Sequence, residues 1–225
     1  MSALSGYRRV LAVVAHPDDE SFGLGAVLDA FGAAGAEMSI LCFTHGEAST
    51  LSETLGELRE VRAQEFERAA AMLGATRARL LDYADGQLAT ITVAELAGHV
   101  AHTARDAGAD LLLVFDEGGI TGHPDHQRAT EAAVSVGRSA AIDVLAWALP
   151  EDTAKVLNEE FSASFVGRPD AELDVRQTVD RQRQHRAIAC HASQSTHNPV
   201  LWRRLELLGD SECLRFLHRA AASAR

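Results

Sequence analysis

Two short stretches of this chain carry side chains whose types and spacing suit metal chemistry. They are His16-Pro17-Asp18-Asp19 and His123-Pro124-Asp125-His126. Histidine nitrogens and carboxylate oxygens bind zinc-type ions, and a catalytic site of that kind keeps one position open for water. Each tetrapeptide offers ligands at i and i+3, which are neighbours on one helical face. Each also places proline at the favoured first position of a helix. Six side chains are available: His16, Asp18, Asp19, His123, Asp125 and His126. Three of them and a water satisfy the ion. A carboxylate left over can act as general base, and a histidine left over as general acid or electrostatic stabiliser. The set contains no thiolate, so zinc is expected, with Fe(II), Co(II) or Mn(II) also compatible. Asp18-Asp19-Glu20 alone would equally suit a plain acidic helix start. The repetition of the pattern is what argues for a site.

The elements that must position these groups follow from the apolar runs. Residues 10–15 precede the first tetrapeptide, and Leu111–Phe115 with a short loop precede the second. Strand-like runs at 8–15, 38–44, 78–83, 110–115 and 142–148 alternate with helical patterns at 24–34, 55–73, 93–107 and 124–136. This alternation predicts an α/β fold: a Rossmann-like, doubly wound, mostly parallel sheet with helices on both faces. In such sheets ligands bind beyond the C-terminal strand ends, where the strand order reverses. With the order 3-2-1-4-5, strands one and four are neighbours at that reversal. His16 and His123, 107 residues apart, then meet. After Pro150 the pattern loosens into an expected strand at 161–166 and helices at 175–192 and 199–208. These form a small C-terminal extension over the sheet edge and one rim of the site. No linker or repeat divides the chain, so one domain over residues 1–225 is expected.

The 225 residues are 47% hydrophobic and 24% charged, as in an ordinary soluble domain with a sizeable core. A net charge of −11 argues against nucleic acid or an anionic membrane as a partner. Three scattered cysteines, Cys42, Cys190 and Cys213, form neither a disulfide framework nor a zinc motif, and suit a reducing cytosol. No run approaches the ~18–20 apolar residues of a membrane span. A cytoplasmic protein with a small-molecule substrate is expected, and a homo-oligomer is allowed.

The residues Ala15-His16-Pro17-Asp18-Asp19-Glu20 and Gly122-His123-Pro124-Asp125-His126 resemble the PIG-L/LmbE family of metal-dependent de-N-acetylases. Further stretches match in order: Thr44-His45-Gly46-Glu47, Arg62-Ala63-Gln64-Glu65, Asp85-Gly86, and His191-Ala192-Ser193-Gln194. The family includes deacetylases of N-acetylglucosaminyl-inositol and of the glucosaminyl precursors of mycothiol and bacillithiol. The resemblance implies a zinc-dependent hydrolase that removes acetyl from an N-acetylglucosaminyl-type conjugate. It implies His16, Asp19 and His126 as metal ligands, Asp18 as general base, and His123 as the imidazolium that stabilises the oxyanion or protonates the leaving amine. It implies substrate contacts for Arg62 and Asp85. His45 is a further substrate-contact candidate, and Glu20, His191 and Gln194 are candidates to border the site. Some family members carry an aromatic residue two positions before the first histidine of the second motif, where this chain has Thr121.

The alternative is a non-catalytic sugar- or nucleotide-binding module on the same fold. Loss of ligands or base would favour it, and the set is intact. A dinucleotide-dependent oxidoreductase is disfavoured, because the first turn reads HPDDESFGLG rather than G-x-G-x-x-G and its acids would repel a pyrophosphate. No G-x-S-x-G marks a serine hydrolase.

Overall fold

In the computed structural model, which describes residues 4–51 and 58–221, five parallel strands form the centre: β1 (Arg9–Val14), β2 (Glu37–Thr44), β3 (Arg77–Tyr83), β4 (Leu111–Phe115) and β5 (Asp143–Trp147). Their order is β3-β2-β1-β4-β5, the order assumed for the doubly wound sheet. Four later strands follow: β6 (Leu149–Pro150), β7 (Gly167–Arg168), β8 (Val175–Thr178) and β9 (Ser211–His218). β9 runs antiparallel along β5, and β8 antiparallel along β9, so the sheet has seven strands. β6 and β7 form a separate two-stranded pair.

The helices in chain order are α1 (Asp19–Phe22), α2 (Gly25–Ala33), α3 (Leu58–Leu73), α4 (Val93–Ala107), α5 (Gly119–Gly122), α6 (Pro124–Ala140), α7 (Glu151–Phe161), α8 (Gln182–Cys190), α9 (Ala192–Ser195) and α10 (Pro199–Leu208). Central strands covered on both sides are apolar along their whole length. β1 and β4 show this, and the strand period of two sorts their side chains. Val10, Ala12, Val14 and Leu113 join Phe31, Phe66 and Leu73 in one core. Leu11, Val13, Leu112 and Val114 join Leu96, Val100, Ala133 and Val136 in the other. β1 pairs with β2 on one edge and β4 on the other, so the chain leaves β1 and β4 side by side at the order reversal.

The C-terminal third departs from the sequence expectations. The strand expected at 161–166 is absent: Phe161 closes α7, and Ser162 leaves it in the left-handed region at φ 51°. Phe161, Ala163 and Phe165 mimic a strand period, but Ala154 and Leu157 set the helical one that packs. The helix expected at 175–192 begins only at Gln182, because Val175–Thr178 finds a strand partner in β9. β9 itself was not expected. Residues 55–57, the expected start of the second helical pattern, lie outside the described residues. No described helix is long and apolar enough to cross a membrane.

Candidate active site

The two turns are built differently, although their sequences are near-duplicates. After β4, Pro124 opens α6 as expected, and His123 caps it: His123 Nδ1 accepts the Asp125 N–H at 3.2 Å. After β1, Pro17 lies outside the helix. Asp18 sits at φ 115° and α1 starts at Asp19. A non-glycine residue held there costs about 1–3 kcal/mol and persists only where its surroundings over-determine it. They do so here. The Asp18 N–H donates to Glu20 Oε2 at 3.0 Å, and the Asp18 carbonyl accepts the N–H groups of Ser21 and Phe22 at 2.9 and 2.7 Å.

A second strained residue shapes the β4 exit. Ile120, β-branched, has φ 65°. Its carbonyl accepts the Val166 N–H at 2.6 Å. Just upstream, buried Asp116 is gripped by Arg168 Nε at 2.8 Å and Arg215 Nη1 at 2.9 Å. The reason for the bend lies one residue away: the Gly119 carbonyl turns to accept the His126 Nδ1–H at 3.1 Å. That fixes the tautomer of His126 and leaves its Nε2 lone pair facing the site.

Three donor atoms converge between the turns. His16 Nδ1 and His126 Nε2 are 3.1 Å apart. Asp19 Oδ1 lies 3.2 Å from His126 Nε2, and Asp19 Oδ2 3.7 Å from His16 Nδ1. An ion with bonds of ~2.0–2.1 Å in tetrahedral geometry needs donors about 3.3 Å apart. The His16–His126 and His126–Asp19 separations match that spacing, while Asp19 approaches His16 through its other oxygen. Each of the three residues is also held from behind. His16 Nε2 faces Asp85 Oδ1 at 3.0 Å and Asp125 Oδ2 at 3.4 Å. Asp19 Oδ2 accepts the N–H groups of Ala15 and His16 at 3.2 and 2.9 Å. His123 brings a ring nitrogen within 4.8 Å of those of His16 and His126, and His16, Asp85 and Asp125 form a second such group. In that second group both carboxylates already hold backbone. Asp125 accepts Gly86 N–H at 2.8 Å and Leu88 N–H at 3.0 Å, and Asp85 accepts Ala48 N–H at 2.9 Å.

The electrostatics follow from burial among acids. Burial lowers the His16 pKa, but hydrogen bonds to Asp125 and Asp85 and the Asp19 charge outweigh it and push it up to about 10. For Asp19 burial works upward and is overcome by the charges of His126 and His16, so its carboxyl stays below the usual range. Asp18 goes the other way. Burial raises it to about 6 against the pull of Arg62, with the Asp19 charge adding to the rise. Burial and the neighbouring His126 and His16 charges lower His123. An imidazolium there, as the sequence reading has it, meets resistance. With Nδ1 accepting a backbone N–H, neutral His123 presents an Nε2–H donor.

Arg62 and Asp85, expected as substrate contacts, turn inward. Arg62 on α3 is 3% exposed. Its guanidinium donates to the Gly46 carbonyl at 2.6 Å, to the Pro17 carbonyl, and to Asp18 Oδ2 at 2.8 Å. Asp85 has His16 on one oxygen and Ala48 on the other. Both prop up the first turn. Glu20 and His191 form a fully buried pair at 2.6 Å behind it. Glu65, one helical turn after Arg62, accepts Ser193 N–H and Oγ–H at 2.9 and 2.6 Å, and Gln194 Oε1 accepts Ser49 Oγ–H at 2.6 Å. The His-x-Ser-Gln stretch is thus clamped over the first motif. His45 faces Asp82 at 3.1 Å rather than the donor cluster.

The Gly46 position disfavours a side chain. Its φ is 65°, and a Cβ there would lie 2.3 Å from Arg62 Nη1. Gly46→Ala should push the guanidinium off Asp18. The expected result is a loss of about 1–3 kcal/mol in stability together with at least a tenfold fall in turnover, read by denaturant unfolding and a steady-state assay on the same preparation.

The family model described as PIG-L: GlcNAc-PI de-N-acetylase matches residues 11–136, more than half of the chain and both motifs. The chain belongs to the PIG-L family. It is 32% identical over 158 residues to the 1D-myo-inositol 2-acetamido-2-deoxy-alpha-D-glucopyranoside deacetylase of Kineococcus radiotolerans, covering 56% of this chain and 44% of that protein. The chain spans about half the length of most such relatives. Among solved structures it is similar to GalB, the 4-carboxy-2-hydroxymuconate hydratase of Pseudomonas putida, with a TM-score of 0.74 at 17% identity, covering 97% of this chain and 99% of that one. It is also similar to the N,N'-diacetylchitobiose deacetylase of Pyrococcus horikoshii, with a TM-score of 0.69 at 21% identity, covering 95% and 85%. These likenesses show the PIG-L fold alone. A hydratase and a deacetylase share it, so the choice of reaction rests on the site.

The sequence reading missed three parts of the site: the strained Ile120, the Asp116 clamp, and Arg204 on α10, which lines a cleft beside Asp19 and His126. Ile120 lies between glycines, a faint signal of unusual backbone. Arg204 in Trp202-Arg203-Arg204 carries no signal at all, since a helix-face cation is normally solvated.

Proposed function

We propose that this protein is a metal-dependent amide hydrolase that removes the acetyl group from an N-acetylated amino-sugar conjugate, acting in the cytoplasm with zinc as its ion. The observation that carries the reading is the convergence of His16 Nδ1, His126 Nε2 and the Asp19 carboxylate beside a second carboxylate, Asp18, that no ligand role requires. His16, Asp19 and His126 would hold the ion. When bound, the ion would polarise the acetamide carbonyl and lower the pKa of water. The mixed nitrogen and oxygen set favours zinc, with Fe(II) the nearest competitor.

The remaining steps belong to the chain. Asp18, aimed by Arg62, takes the proton of the attacking water. Its raised pKa suits a base working near neutrality. His123 donates its Nε2–H toward the oxyanion as charge develops there. The proton on Asp18 then goes to the departing nitrogen, which leaves as a primary amine with acetate as the second product. Arg62 and Asp85 act as positioning residues for Asp18 and His16. The Nε2–H of His123 takes the place of the aromatic donor that Thr121 lacks.

The test is metal analysis followed by acetate release from a panel of N-acetylglucosaminides, inositol- and malate-linked conjugates among them. Acetate release that stops on chelation and returns with Zn²⁺ or Fe²⁺ is expected. Ligand binding without turnover on every member would favour the binding module instead. The pH profile gives a second check. Turnover needs ionised Asp18, so kcat/KM should fall about tenfold per pH unit below about 6. Because the Arg62 charge holds the Asp18 pKa down, Arg62→Met should move that limb to higher pH. An unmoved limb in Arg62→Met would assign it to another group.

A further inference from the structure

A cleft of about 180 Å³ opens beside Asp19 and His126. Its apolar walls include Phe22, Phe115, Ile120, Phe165 and Leu201, with the polar Thr121 and Asn198 among them. The aromatic and aliphatic part of this lining suits a hydrocarbon chain better than the hydroxyl-rich face of a sugar ring. The acyl side of the substrate fits that lining. The space is larger than an acetyl methyl needs.

The cleft also contains a cation that no acid pairs directly, although the Asp19 carboxylate lines the same space. Arg204 lines it from α10. Its Nη2 donates to the Phe22 carbonyl at 2.8 Å, its guanidinium lies 5.2 Å from the Trp147 ring centroid, and its Nε is buried without a partner. Among the described residues no carboxylate makes an ion pair with it. Glu212, the acid whose charge it feels most, is instead bound to Arg181 and to Trp147 Nε1. Burial pulls the Arg204 pKa down to about 10, as expected for a poorly compensated charge. Buried cations are ordinarily paired, and one facing a ligand cleft is satisfied by the ligand.

We propose that this cleft is an acyl subsite for chains longer than acetyl that end in a carboxylate, so that the protein cleaves the half-amides of short dicarboxylic acids, of succinyl or glutaryl type, on an amino sugar. The proposal rests on the hydrolase reading above and extends its acyl group. The reaction is a plain hydrolysis. The C–N bond breaks, water's oxygen goes to the acyl carbon, its hydrogens go to the amine, and a dicarboxylate leaves. The apolar walls cover the methylenes, and Arg204 meets the far carboxylate.

The test compares N-acetyl-, N-butyryl-, N-succinyl- and N-glutaryl-glucosamine as substrates, with glutarate and butyrate titrated into the metal-loaded protein. Butyrate carries the same head group without the second carboxylate. The expected results are at least a tenfold higher kcat/KM for a half-amide than for N-butyryl, and at least tenfold tighter binding of glutarate than of butyrate. Arg204→Gln should erase both ratios and Arg204→Lys should keep part of them. The wild-type ranking alone decides the matter if Arg204→Gln does not fold. Hydrolysis of N-acetyl with no preference for either half-amide, or equal binding of glutarate and butyrate, overturns the subsite and leaves the hydrolase reading standing. Tight glutarate binding with no amide cleaved upholds the subsite and overturns the hydrolase reading.

Discussion

Asp18→Asn will lower turnover by about 10²–10⁴-fold, the ordinary contribution of a positioned general base, and leave the metal content of the protein unchanged. Asparagine is the informative replacement. Asp18 sits at φ 115°, a region that asparagine tolerates better than alanine, so the backbone of the turn is preserved. The carbonyl of the introduced amide can still accept from Arg62, which approaches Asp18 Oδ2 at 2.8 Å. What the variant loses is the capacity to take a proton. The ligands His16, Asp19 and His126 are untouched, so metal analysis on the same sample separates loss of the base from loss of the ion. Full activity in Asp18→Asn would remove this residue from the chemistry. Loss of metal together with activity would make Asp18 a ligand.

The second large effect is expected from His126→Ala. It deletes the nitrogen that stands 3.1 Å from His16 Nδ1 and 3.2 Å from Asp19 Oδ1. Two donors remain, too few for a closed site. Metal content should drop to background and activity with it, as after chelation of the wild type. A thermal readout checks the cause. An ion that binds only the folded state at a hundredfold excess over its Kd adds about 2.7 kcal/mol of stability. Added Zn²⁺ should raise the Tm of the wild type and leave His126→Ala unmoved. His126 also donates from Nδ1 to the Gly119 carbonyl, beside the strained Ile120. His126→Gln, which can still donate there, should fold better than the alanine variant and still fail to hold the ion. Wild-type metal content in either variant would place the ion on the other group, His16 with Asp85 and Asp125.

Much of this was legible in the chain. The apolar runs ending at His16 and before His123 pointed to buried strands and the β-α alternation to a parallel sheet, while the order that sets β1 beside β4 was an assumption that the fold bears out. The motif identities follow from local chemistry, because the residue types near a strand end are written in consecutive letters. What was not legible depends on contacts between distant segments. Val175–Thr178 reads as helix until β9, more than thirty residues later, supplies its ladder. Arg62 and Asp85 read as substrate contacts until Asp18, Gly46 and Ala48 are seen to occupy them.

By itself, then, the sequence offered six candidate donors, their delivery from two strand ends, and the resemblance to the family that the match over residues 11–136 shows. Only the tertiary structure decided that His16 faces the cluster through Nδ1 and His126 through Nε2, that the first turn is strained where the second is a regular helix start, and that Arg204 stands beside the site. The physical reason is one of range. Ligand chemistry is a property of single residues, whereas tautomer, strain and charge compensation are imposed by partners brought together across the fold, such as His16 and His126, 110 residues apart.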